Sequence, residues 1–328
     1  MRLEFQKIIA GSPFTLPIVS AVAIAVWLLF RPSNDEGMRL WMGMGASAFA
    51  VYLLAELNNR NVLLRISSRF ISSLFAVLLA VIVQLHSFQL GHVVLVLSLV
   101  SFFPFFQMYQ SASPLLSFFT YLPLALVSLV FPPILFLVPV YWLCQMYMRG
   151  FSLKSGMASL LALGFPYWMA FGVRFFLGEY DAWIPVHLAW PPVFSPSFSL
   201  SGFLPIQDEF TAADIHANYE KMSPRQIVQF VYILLLLAVG IVDLFLKKYL
   251  DKTRTRILYH VIVIHALFVI FLLLFQMQYF YQLFPLLVAD AAIMGGHFMA
   301  QTYNRFSHVF SILFLMASLA VCFISYIS

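Results

Sequence analysis

The stretch "IVQFVYILLLLAVGIVDLFL", residues 227–246, decides the fold. At 1.5 Å per residue its helical length is about 30 Å, the thickness of a bilayer's hydrocarbon core. It does not alternate apolar and polar residues, as the strand of an outer-membrane barrel does, so it reads as a membrane-crossing helix. Its only ionisable residue, Asp243, lies four positions before Lys247, an i,i+4 spacing that suits an ion pair at the membrane surface.

Working outward, the rest of the chain has the same character. Of its 328 residues 62% are hydrophobic and 9% charged, and the mean hydropathy is +0.93. A soluble domain carries roughly 25% charged residues to wet its surface, so a water-facing exterior is excluded. Breaks at charges, prolines and polar clusters divide the chain into about eleven spans, near 14–30, 38–56, 70–86, 92–108, 115–131, 134–148, 156–177, 225–246, 257–276, 284–302 and 308–327. Prolines in "FFPFF" at 102–106 and "FPP" at 131–133 bend or end the middle spans, which leaves nine crossings as the alternative count. The expected fold is all-α: a polytopic transmembrane helical bundle forming a single integral domain over residues 1–328. Arg2 and Lys7 ahead of the first span resemble a signal peptide, but the run that follows is long and lacks a small-x-small cleavage site, so an uncleaved helix is expected.

Charge sorting sets the orientation. Arg2, Lys7, Arg60, Arg65, Arg69, Arg149, Lys154, Lys247, Lys248, Lys252, Arg254, Arg256 and Arg305 all fall on one side of an eleven-span threading. By the positive-inside rule that side is the cytoplasm, with the N-terminus inside and the C-terminus outside. The net charge of +5 is thereby assigned to membrane orientation rather than to nucleic acid. Acids collect on the other side, as Asp35 and Glu36 in "RPSNDEGMR" and as Glu179 and Asp181 in a long external loop, 178–224. That loop opens with a Trp-, Phe- and Pro-rich half suited to lipid headgroups.

Few residues point to chemistry. There is no CxxC, HExxH, P-loop or Gly-rich dinucleotide turn, so no metal or cofactor is expected, and Cys144 and Cys322 fall inside spans as small hydrophobes. His260 and His265 are five apart and off a shared helical face, which argues against a metal site. Asp290 stands deep in a span, with His297 seven residues on along the same face, about 10 Å away along the axis. One reading is a polar path for a proton or ligand; the other is an Asp and a His each hydrogen-bonded to neighbouring helices. Near the external end of its span Arg174 could hold a lipid phosphate, with Asp35, Glu36, Glu179 and Asp181 in the same compartment. Headgroup snorkelling and charge sorting explain the same residues without a site.

The combination of "LNNRNVLLRISSRF" (57–70), "FPPILFLVPVYWL" (131–143), "RGFSLKSG" (149–156) and "KTRTRILYHVIV" (252–263) resembles a family of uncharacterised polytopic inner-membrane proteins of Bacteroidota-type bacteria. That resemblance implies a bacterial inner (cytoplasmic) membrane. More remotely, residues 56–177 look like the middle of the polyprenyl-phosphate-sugar-dependent membrane glycosyltransferases of the GT-C class. This second resemblance implies envelope lipid or glycan handling, with a polyprenyl-phosphate lipid among the membrane-lipid partners and Asp35 or Glu36 as the catalytic acidic residue. The first external loop departs from that class, since only about eight residues separate the two spans. A solvated turn is therefore the other reading of the Asp35–Glu36 pair. A non-enzymatic scaffold and a transporter working through Asp290 and His297 complete the range of functions.

Overall fold

The computed structural model describes residues 12, 14–30, 37–64, 68–176, 223–246, 252–301 and 305–327. Among them are eleven α-helices and no strand: α1 (Thr15–Leu29), α2 (Gly37–Asn61), α3 (Phe70–Val81), α4 (Leu90–Gln107), α5 (Pro114–Ser128), α6 (Leu137–Tyr147), α7 (Leu153–Phe176), α8 (Pro224–Leu246), α9 (Thr253–Phe275), α10 (Phe280–Gln301) and α11 (Arg305–Ile327). Each apolar stretch of the sequence carries one of them. Seven, α2, α4 and α7–α11, are long and apolar enough to cross a membrane, and α1, α3, α5 and α6 are apolar but shorter. This is a helical architecture compatible with an integral membrane protein. Most of the loop expected to be external, 177–222, lies outside the described residues.

Local chemistry explains where boundaries differ from hydropathy. α2 runs past residue 56 to Asn61 because its polar last turn is stabilised internally: Arg60 pairs with Glu56 at 2.6 Å and the Asn61 amide donates to the Leu57 carbonyl at 3.0 Å. It stops where Val62 turns to φ 50° and the Leu63 N–H reaches back to the Asn58 carbonyl. The stretch 70–86 is helical only to Val81, and a 3₁₀ turn at Val83–Leu85 precedes α4, whose first turn is closed by the Gln89 N–H donating to His92 Nδ1 at 3.2 Å. Pro132 and Pro133 confine the entry to α6 to a 3₁₀ turn, Pro132–Phe136. Pro104, by contrast, lies inside α4 within a turn of its end.

α10 is the centre of the bundle. All of its apolar window is buried, whereas only 17% of the α7 window is. Glycines bring neighbouring helices close to α10. A Cβ on Gly240 of α8 would lie 2.8 Å from the backbone carbon of Met294, and one on Gly296 would lie 3.0 Å from Cα of Ile71 on α3. Such contact is how membrane helices gain packing energy when lipid and side chains are equally apolar.

Contacts near the helix ends fall into two sets. In one, Arg254 donates to Asn61 (3.4 Å), the Tyr259 hydroxyl to the Leu63 carbonyl (3.2 Å), the Gln110 N–H to the Met148 carbonyl (3.0 Å), and Tyr147 meets His260 (2.7 Å). In the other, the Phe88 N–H donates to the Arg39 carbonyl (3.1 Å), Trp27 to the His86 carbonyl (3.2 Å) and Gln229 to Gln84 and Ser325, while Phe131 meets Tyr279. The first set joins the ends that the sequence assigns to the basic side, and the second joins the opposite ends.

Candidate functional site

A buried acid–histidine pair in the interior of the bundle joins α9 and α10, with Tyr141 of α6 beside it. His265 stands near the middle of α9, about 18 Å along the axis from its first residue, and Asp290 near the middle of α10. His265 Nδ1 lies 2.7 Å from Asp290 Oδ2, and the two side chains are 3% and 0% exposed. Neither Asp290 Oδ1 nor His265 Nε2 has a hydrogen-bond partner among the described residues.

The walls are aromatic. Phe102 of α4 meets the His265 ring edge-on at 5.1 Å, and Tyr141 of α6 does so at 6.0 Å. Phe102 and Tyr141 in turn stack in parallel, with Phe105 tilted against Tyr141 at 4.6 Å. α4 also brings two buried serines to this depth, Ser98 and Ser101, the latter committed to the Thr120 carbonyl at 2.7 Å.

Burial constrains what the pair can be. A lone charge in an apolar interior is far too costly, so the stable form is net neutral. That form holds one titratable proton, either on His265 as an ion pair or on Asp290 as a neutral pair. The Asp–His distance accommodates both, because the proton moves along a single hydrogen bond. Nδ1 is the nitrogen turned to Asp290, which leaves Nε2 as the buried ring nitrogen without a partner among the described residues.

His297 is buried too, but it does not meet Asp290. Its ring packs against Tyr259 at 4.4 Å between centroids, toward the basic end of the bundle. Seven residues along α10 align Asp290 and His297 on one face, and their contacts go to different places on α9. His260 and His265 likewise diverge, His260 to Tyr147 and His265 to Asp290. Asp243 is buried, and Lys247 lies outside the described residues. Among the described residues no group of three or more His, Cys, Asp and Glu could hold a metal ion.

The proposed outer-face residues Asp35, Glu36, Glu179 and Asp181 lie outside the described residues; Arg174 belongs to the last turns of α7, with its side chain outside them. Near the C-terminal end of α1 the structure places a buried aromatic corner. Trp27 stacks on His86 at 4.3 Å, and His86 has Nε2 2.9 Å from the Ala80 carbonyl and Nδ1 3.3 Å from that of Phe30. On the exposed face of α5 and α7 lies an apolar groove of about 640 Å³, lined by Phe118, Leu160, Leu161, Phe165 and Trp168 among others.

The residues that spacing along one helix does not pick out are His265 and Tyr141. His265 carried its own signal, an ionisable side chain at mid-span. Comparison with protein-family models, curated proteins and solved structures finds no match to this chain.

Proposed function

We propose that the chain is a multi-pass bacterial inner-membrane protein that couples transport to a proton carried by the Asp290–His265 pair. Eleven crossings, with the N-terminus in the cytoplasm and the C-terminus outside, are supported by the agreement between charge sorting and the two sets of helix-end contacts. Cysteines replacing Arg60 and Arg254 are expected to react from the cytoplasmic side alone; labelling of the two from opposite sides refutes the threading.

The observation that carries the transport reading is the 2.7 Å Asp–His contact, closed to solvent at mid-depth. Ionisable residues at this depth are expensive and mark ion or substrate paths. Both groups are enclosed, so on this reading proton exchange requires α9 and α10 to separate toward one side at a time. Infrared difference spectroscopy across a pH jump tests this. A protonated-carboxyl band that shifts in D₂O and disappears in Asp290→Asn is expected. Its absence over the whole pH range in which the protein stays folded makes the pair a structural pin and overturns the reading.

The α5–α7 groove favours a second reading, GT-C-like handling of a polyprenyl-phosphate lipid, with Arg174 on the phosphate, Asp35 or Glu36 as the catalytic acid, and Glu179 and Asp181 on the same external face. An apolar groove on a lipid-facing helix suits an isoprenoid chain. A polyprenyl phosphate in the lipid extract of the purified protein is the result this reading requires.

A further inference from the structure

α1 is held to the bundle by little. Trp27 is its one buried side chain, and a half-open gap of about 120 Å³, bordered by Ala23, Ala48 and Ala76, separates it from α2 and α3. The end of the helix is anchored on a single residue, His86, which stands in the turn between α3 and α4 and outside both helices. The Trp27 indole covers one face of the imidazole at 4.3 Å, its Nε1–H donates to the His86 carbonyl at 3.2 Å, and the Phe30 carbonyl lies 3.3 Å from Nδ1. With this cover in place His86 is fully buried.

Two histidines of this turn are satisfied in different ways. At His92 the Gln89 N–H donates to Nδ1 at 3.2 Å, which fixes the ring proton on Nε2, and Nε2 donates to the Leu85 carbonyl at 3.0 Å. That is a complete neutral ring. At His86 both nitrogens face carbonyl oxygens, Nε2 that of Ala80 at 2.9 Å and Nδ1 that of Phe30. A neutral imidazole has one N–H, so the shorter contact is the hydrogen bond and the Phe30 carbonyl faces a bare lone pair. The neutral ring therefore holds α1 through Trp27 and not through Phe30.

A proton on Nδ1 turns the Phe30 contact into a hydrogen bond, but it also places an ion in an enclosed site. The gain is one long contact; the loss is the whole hydration of an imidazolium. The titratable and charged groups on the surrounding elements are Arg39 at the near end of α2, His92 on α4, and Tyr326 on α11, whose ring meets Phe30 at 5.2 Å. α1 and α3 carry none, and Arg31, Asp35 and Glu36 lie outside the described residues. No acid among the described residues therefore balances a charge on this ring. Enclosure accordingly pushes the His86 imidazole down, to about 4, against the pull of the two carbonyls, and His92 adds to the push. The ordinary value near 6.5 returns when the ring reaches water, and the cover that must move is α1.

We infer that His86 is an acid-sensitive catch: the neutral ring keeps the C-terminal end of α1 docked through Trp27, and protonation releases that end. Docking is at full strength above the released value near 6.5 and weakens as the pH falls toward the docked value, a change in the docking equilibrium on the order of a hundredfold. The catch lies among the helix ends opposite the basic set. It is separate from the Asp290–His265 pair and does not depend on that pair's role.

The test uses the full chain in lipid nanodiscs, with Trp27 emission isolated in each background as the difference made by Trp27→Phe. On acidification from about pH 8 to about pH 4, which spans both values, Trp27 is expected to shift to longer wavelength and to become more accessible to acrylamide in a single-proton step. His86→Gln keeps a donor for the Ala80 carbonyl and does not titrate, so it is expected to abolish the step, whereas His92→Gln retains it. The absence of a step in the wild type overturns the proposal, as does a step that persists in His86→Gln or disappears in His92→Gln. A step in which acid makes Trp27 less accessible also overturns it, because the two carbonyls then hold the cation in place. The sign of the wild-type step and the His92→Gln result keep the test decisive if His86→Gln does not fold.

Discussion

Replacing His265 by leucine is expected to destabilise the protein by about 3–5 kcal/mol, the cost of leaving one partner of a buried pair alone. Asp290→Leu is expected to cost less, because an imidazole is commonly neutral near pH 7, whereas an orphaned carboxylate must first bind a proton to become so. The double variant His265→Leu with Asp290→Leu should regain most of the loss, since apolar side chains of similar size satisfy the same space. The magnitude identifies the state of the pair. Neutral interhelical hydrogen bonds in membranes contribute about 0.6 kcal/mol on average and at most about 1.7, so a coupling energy above that range in the double-mutant cycle requires an ion pair. Unfolding in mixed micelles, followed for all four proteins, yields that coupling. The double variant, which has no carboxyl at position 290 to protonate, then serves as the folded reference for the infrared measurement.

The fold was legible because the cost of dehydrating backbone and charge acts residue by residue. Every apolar stretch that hydropathy marks out carries a helix, and the departures have local causes, such as Pro132 and Pro133 before α6 or the Arg60–Glu56 pair that extends α2. The depth of Asp290 was legible for the same reason. Its partner was not. Periodicity relates residues on one helix, and through it Asp290 points along α10 to His297; the contact that matters crosses to α9, where nothing in the spacing of His265 records which helix it faces. Tyr141 is hidden in the same way, as one aromatic among many until α6 turns it toward His265.

Glycine positions supply the sharpest contrast between neighbouring environments in the bundle. Gly164 on α7 has nothing within 4 Å of where a Cβ would be, so Gly164→Ala is expected to stabilise the protein by about 1 kcal/mol through helix propensity alone. The same substitution at Gly240 sets a methyl 2.8 Å from the Met294 backbone. Backbone cannot swing aside as a side chain does, so α8 and α10 must move apart, and overpacking of this kind costs about 1–3 kcal/mol. At Gly296 leucine is expected to be worse than alanine, since its branches must displace both Ile71 and the α3 backbone. Thermal unfolding of Gly164→Ala and Gly240→Ala in one lipid mixture checks the opposite signs. Equal effects at the two sites refute the placement of α10 as the closely packed axis and α7 as the lipid-facing rim. The outcome also bears on the proposed transport: α10 is held by close glycine contacts to α3 and α8, so on that reading α9 is the element expected to shift when Asp290 exchanges a proton. Gly240→Ala is therefore expected to destabilise the fold while leaving the Asp290 infrared band in place.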